Sequence, residues 1–295
     1  LISITVTNPL SLSQFNTLNA KTGSDLILQG GISDSIDNVA PSGTASSFYT
    51  AATTQDGDVA ITITGTAPTV TELNKVASLT TGVVTASISG NKTTLAGLDT
   101  ASGDAVTATV TDAVTVAEFN TLDGKTSVGV ILSGGVSDAA AAYASTTGTA
   151  TSGRDTIAAQ DGDAALTVTD AATVAQANSV ATATTGTVQF SGGITDSTTN
   201  LMNGDSSAIS TGLSTAKTDD SDVVITANTA VTVAQFNLLD AATSSAIVLS
   251  GGISDTAANL APSGTASSGL TNSTTQDGDV AVSYTHLTLP TRSYV

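Results

Sequence analysis

Three copies of Gln-Asp-Gly-Asp, at Gln55–Asp58, Gln160–Asp163 and Gln276–Asp279, and the variant Asp219–Asp222 place carboxylates on both sides of a glycine or serine. Carboxylates at a tight turn are hard oxygen donors of the kind calcium takes. An EF-hand loop or a glycine-rich calcium nonapeptide brings a longer ligand set than this. Asp-Gly just ahead of a strand is also an ordinary turn signal. The turn reading is favoured: no metal-ligating residue is assigned, no cofactor is expected, and calcium at these turns is the one candidate.

Other chemistry has little to draw on. The chain has no cysteine, which removes disulfides, thiol catalysis and Cys-ligated metals. Its one histidine, His286, lies in a segment set aside below. A carboxylate pair of the glycosidase kind needs no histidine, but the acids recur with the repeats and nothing marks one pair as special. No catalytic residue is assigned, and the chain is not expected to be an enzyme. Gly-Gly-Ile/Val-Ser/Thr-Asp, at Gly30–Asp34, Gly134–Asp138, Gly192–Asp196 and Gly251–Asp255, lacks the glycine spacing and lysine of a phosphate loop.

These motifs sit inside a repeat. A hexapeptide of the form Thr-Val-Ala-Gln-Phe-Asn occurs at Ser11–Asn16, Thr69–Asn74, Thr115–Asn120, Thr173–Asn178 and Thr232–Asn237, its asparagines 58, 46, 58 and 59 residues apart. Each copy opens with Ser or Thr followed three residues later by Gln or Glu, which predicts a capping box at a helix start. Val116, Phe119 and Leu122, or Val233, Phe236 and Leu239, then mark one inward face.

Alternating β-branched runs precede each helix: Ile2–Val6, Val59–Thr64, Val106–Val110, Ala165–Thr169 and Val223–Thr226. Second strands are predicted at Leu26–Leu28, Val83–Val84, Val128–Leu132, Val188–Phe190 and Ala246–Leu249. Paired glycines then supply a positive-φ turn, and Ser/Thr-Asp the cap of a second short helix.

The expected fold is an α/β repeat solenoid of stacked strand-helix-strand-helix units with a parallel sheet and short helices; a right-handed β-helix or tandem small β domains are the alternatives. The spacing of 46 gives about 23 residues per strand-helix half, within the range of solenoid coils. Five units fall at approximately 1–58, 59–104, 105–163, 164–222 and 223–282, as one array. The longer copies add segments such as Ser42–Thr54 and Ser263–Thr275, expected as a row of Ser/Thr-rich loops on one edge. The hexapeptide asparagine is expected to turn inward and bond to unpaired backbone amides.

Composition agrees with a thin layered core: 40% hydrophobic residues, 3% aromatic and no Trp. With 7 Lys+Arg against 25 Asp+Glu the formal charge is −18, which repels nucleic acid and anionic surfaces. All the acids but Glu72 and Glu118 are aspartate, as caps and turns demand. No apolar run is long enough for a membrane helix, so no insertion is expected.

The chain opens without Met, already within a predicted strand, and is expected to be a piece of a longer protein. Residues 283–295 leave the repeat register, resemble the translated adapter read-through found in environmental sequence assemblies, and are expected to be a non-native tail. His286 falls within it and is not a candidate.

With these motifs in place, residues 1–282 resemble repeat regions of very large secreted or cell-surface bacterial proteins, adhesin-like and of the style found in marine cyanobacteria and other aquatic bacteria. Thr232–Asp240 and Gly252–Leu260 carry the likeness. It implies a non-enzymatic structural or adhesive segment, extracellular or at the cell surface, whose partners are surface glycans or neighbouring repeats of the same protein. A carbohydrate-active solenoid enzyme and a calcium-rigidified binding module are the alternatives. Some such proteins leave the cell by type I systems; this chain shows neither their glycine-rich calcium nonapeptides nor a C-terminal secretion signal.

Overall fold

All five hexapeptides start an eight-residue α-helix: Leu12–Asn19, Val70–Ala77, Val116–Asp123, Val174–Ala181 and Val233–Asp240. Every one carries the complete capping box. At Thr69 the backbone N–H donates to Glu72 Oε2 at 2.8 Å, and the Glu72 N–H donates to Thr69 Oγ1 at 3.3 Å. Such caps are worth about 1 kcal/mol each, which matters in helices too short to form alone. The predicted inner face is buried, with Phe15, Leu73, Phe119, Ala177 and Phe236 wholly enclosed.

The computed structural model describes residues 3–204 and 206–285. The fold is α/β, with short helices and several small parallel sheets, and no closed barrel forms among the described residues. Two compact units divide the chain: one runs to Val136 and includes Thr156–Ala165, the other comprises Ser137–Asp155 and the residues from Leu166 on.

In the first unit, strands Ile32–Ser35, Ile61–Thr64, Val84–Gly90, Ala105–Val110 and Val130–Ile131 form a five-stranded parallel sheet in chain order. A separate parallel pair joins Ile4–Thr5 to Leu26–Ile27. In the second unit Ile194–Asp196, Ile225–Ala227 and Ile247–Val248 make one three-stranded sheet. Val188–Phe190 pairs with Leu166–Val168, and Ile253–Thr256 with Val282–Thr285. Each crossover carries helix, as parallel neighbours require. Alternation sets the faces: Val84, Ala86 and Ile88 point inward while Thr85, Ser87 and Ser89 point out.

The structure departs from the sequence reading in four places. First, Gly-Gly-Ile/Val-Ser/Thr-Asp leads into a strand (Ile32–Ser35, Val136–Asp138, Ile194–Asp196 or Ile253–Thr256) and not straight into a helix cap. The second glycine has φ near +74°, and the residue after it donates its N–H to the neighbouring strand, as Ile32 does to Ala60 O at 2.8 Å. The first glycine lies against the backbone: a Cβ at Gly134 would come within 2.1 Å of the Asp112 carbonyl carbon.

Second, the added segments of the long copies are helices rather than loops: Ser47–Gln55, Ser152–Gln160, Thr211–Asp219 and Ser268–Gln276. Serine and threonine are weak helix formers, but here Thr50, Thr54, Thr271 and Thr275 hydroxyls donate to the carbonyl four residues back, which keeps them from competing for the turn. Tyr49 is fully buried and its hydroxyl donates to Val76 O at 2.8 Å.

Third, the hexapeptide asparagine is not internal. Asn16, Asn120 and Asn237 lie exposed. Only Asn74 makes the expected backbone bridge, donating to Gly97 O at 2.7 Å and accepting from Asp99 N–H at 2.8 Å. The conserved spacing of the five serves the helix terminus instead, where each Asn carbonyl accepts from the C-cap N–H.

Fourth, the last strand crosses the boundary set at 282, with Ser283, Tyr284 and Thr285 paired to Ser254, Asp255 and Thr256. A short β-prone stretch takes the parallel register of its neighbour whatever its origin. His286 lies outside the described residues.

Candidate functional site

The acidic turns close the nine-residue helices. At each one the aspartate in the motif's second position accepts a hydrogen bond from a backbone N–H at the end of a strand 28 to 30 residues back. Leu28 donates to Asp56 at 2.6 Å, Leu132 to Asp161 at 2.5 Å, Phe190 to Asp220 at 2.7 Å and Leu249 to Asp277 at 2.6 Å. Gln55 and Gln276 do the same one step earlier, accepting from Leu26 at 3.3 Å and Ile247 at 2.8 Å. The glutamine amide also ties the helix end to the last residue of a hexapeptide helix: Gln55 donates to Asn19 at 3.1 Å, Gln160 to Asp123 at 2.8 Å, and Gln276 to Asp240. Gln-Asp is therefore a side-chain splint at a point where the parallel ladder has no backbone carbonyl to offer.

The second aspartate of each turn faces the first. Burial pushes the Asp56, Asp161 and Asp220 carboxyls up from their ordinary value, and the adjacent Asp58, Asp163 and Asp222 carboxyls push the same way against the backbone bond. Asp277 is held down by its bond from Leu249.

A second row of aspartates closes the Gly-Gly motifs. Asp34, Asp196 and Asp255 each accept from the first N–H of a hexapeptide helix: Leu12 at 2.9 Å, Val174 at 3.0 Å and Val233 at 3.0 Å. Their other oxygens accept from the following N–H (Ser35, Ser197 and Thr256, each at 2.8 Å) and from Asn38, Asn200 and Asn259, each at 2.7 Å. Burial works to raise Asp34 and Asp255, but these donors outweigh it and hold both carboxyls below the usual range. Asp112 and Asp170 cap Lys92 and Ala140 N–H at 2.6 Å in the same manner.

In the short copy Asp104, which has no acidic-turn motif around it, takes the splint's place: it accepts from Val84 at 2.8 Å and from Ala101 at 2.9 Å. Sequence reasoning missed it; the available signal was an Asp just ahead of a strand, as at the other turns. That copy also lacks a nine-residue helix, and a cavity of about 350 Å³ opens beside the helix Val116–Asp123. Leu95, Ala96, Val114 and Leu122 floor it, and Lys92 Nζ meets Glu118 Oε2 at its rim at 3.1 Å.

The outward face of the five-stranded sheet is different in kind. Ser33, Thr62 and Thr85 stand in one rank; Ser35 lies beside Thr64, Ser87 beside Thr107, and Ser89 beside Thr109. The remaining in-register outward positions are Ala105 and Ile131. None of these residues is charged, and none of the nine hydroxyls is donated to another group of the protein.

Among the described residues, no group of three or more His, Cys, Asp or Glu is placed to hold a metal ion. No helix there is long and apolar enough to cross a membrane. Comparison with protein-family models, with curated proteins and with solved structures finds no match to the chain.

Proposed function

We propose that the chain is a non-enzymatic, structural and adhesive repeat segment of a larger extracellular or cell-surface protein, with an α/β solenoid as its architecture. The observation that carries this reading is the use made of the aspartates. The residues best able to do chemistry are bound to backbone amides one coil away, at Asp34, Asp56, Asp104, Asp161, Asp196, Asp220, Asp255 and Asp277. Each such bond satisfies a donor that the turn would otherwise orphan, and repetition of the bond is what a stack of equivalent coils needs. Surface glycans and neighbouring repeats are the partners that suit the charge of −18, which disfavours nucleic acid.

Small-angle scattering of the full chain tests the solenoid: its radius of gyration should lie well above the ~19 Å expected of a compact globule of this length. A compact value removes it. Binding of the full chain to immobilised bacterial surface polysaccharides, without release of reducing sugars, tests the adhesive role; chain cleavage of the polysaccharide would reverse the reading.

A further inference from the structure

The outward face of the first unit's sheet joins three properties. It is a periodic array of hydroxyl residues: Ser33, Thr62 and Thr85 pair in one rank, Ser87 with Thr107 in the next and Ser89 with Thr109 beyond it, on strands about 4.8 Å apart with residues two along a strand about 6.6 Å apart. It is uncharged, although the chain carries −18. Its hydroxyls are also unspent. Thr62, Thr64, Thr85, Ser87 and Ser89 are exposed, and Ser33, Ser35, Thr107 and Thr109 half-buried, and none is used inside the protein, whereas helix hydroxyls such as those of Thr50 and Thr121 donate to their own turn.

An array of this kind suits an ordered, uncharged, repeating surface of hydrogen-bonding oxygens. Each hydroxyl both donates and accepts, so the ranks can meet oxygens that do the same. Charged side chains would organise their own hydration and spoil the match. A crystalline polysaccharide is the other ordered surface, but it is gripped by flat aromatic rings, amphipathic and large, and no aromatic residue occupies these positions. We propose that this face, centred on Thr62, Thr85, Ser87, Thr107 and Thr109, binds the surface of crystalline ice. The inference stands on the first unit's sheet alone and holds whether or not the coils of the two units form one stack.

The test is partition of the purified full chain into a slowly growing ice front, together with inhibition of ice recrystallisation. The chain should be enriched several-fold in the ice over a globular control protein and should arrest grain growth. The double variant Thr62→Lys/Ser87→Lys, at exposed positions on adjacent strands, should lose both effects while its melting temperature stays that of the parent. Ser13→Lys, an exposed helix change away from the sheet, should retain both. Exclusion of the parent chain from ice overturns the proposal, as does a double variant that partitions like the parent. Retention on microcrystalline cellulose or chitin without ice partition would overturn it too and assign the face to polysaccharide.

Discussion

Two rows of aspartate hold this fold, built from the same side chain and the same kind of bond, yet Asp34 and Asp255 of one stand in the opposite electrostatic state to Asp56, Asp161 and Asp220 of the other. Asp34 and Asp255 gather donors from a helix N-terminus, the following amide and an asparagine, so the charged carboxylate is the form the site wants. Asp56, Asp161 and Asp220 accept one backbone bond and face a second carboxyl, so charge there is resisted. A carboxylate's state follows from the balance of burial, converging donors and facing carboxyls, which differs even between copies of one motif. At three of the four turns that looked most like a metal site, burial and the neighbouring carboxyl resist the splinting aspartate's charge, and Asp277 alone is held down by its backbone bond.

The largest effect that separates the rows should come from Asp196, buried with three donors. Asp196→Ala strands the Val174 and Ser197 amides and should cost about 3 kcal/mol in urea unfolding. Asp161→Ala strands only Leu132 N–H and should cost about 2 kcal/mol. Asp161→Asn, which keeps an acceptor and removes the repulsion from Asp163, should cost well under half of that; equal losses for Ala and Asn at Asp161 would erase the distinction between the rows.

Acid titration of the melting temperature should show both signs. Asp34 and Asp255, lowered in the fold, contribute stability above the unfolded value near ~3.9 that is lost as pH falls through their folded values. Asp56, Asp161 and Asp220, raised in the fold, contribute stability that is complete below ~3.9 and is lost as pH rises through theirs. Stability should thus climb on acidification from neutral pH towards pH ~4 and fall below it. Asp161→Asn should flatten the upper arm and Asp255→Asn the lower.

The smallest effect concerns ions. Calcium and magnesium should raise the melting temperature by similar small amounts, by screening a chain of −18. A calcium-selective rise that vanishes in Asp161→Asn/Asp163→Asn would turn the acidic turns into metal sites.

The sequence carried the hexapeptide helices in full, because the capping box is a local bond pattern between residues three apart and needs no knowledge of the neighbours. It also carried the strands before them, to within a few residues. It did not carry the nine-residue helices, since Ser, Thr and Gly disfavour helix and only the burial of Tyr49, Ile157 and Leu213 fixes them in place. The aspartate splints were beyond reach for a related reason. Their partners lie 20 to 30 residues away, at backbone positions that carry no side-chain signature. The asparagine departs from expectation because recurrence in five copies does not imply burial: the helix end asks only for the residue's carbonyl.

Tyr49 in the first unit and Tyr143 in the second are both wholly buried, and each hydroxyl donates to a backbone carbonyl 27 or 24 residues further on, Val76 at 2.8 Å and Thr167 at 3.1 Å. Burial pushes both phenols well above the ordinary tyrosine range. In a chain without tryptophan and with only four tyrosines, these rings make each unit an optical instrument of its own: with Tyr284 and Tyr294 replaced by Phe, and Tyr49→Phe or Tyr143→Phe to silence one buried ring, the ultraviolet change on forming phenolate in alkali dates the opening of the other.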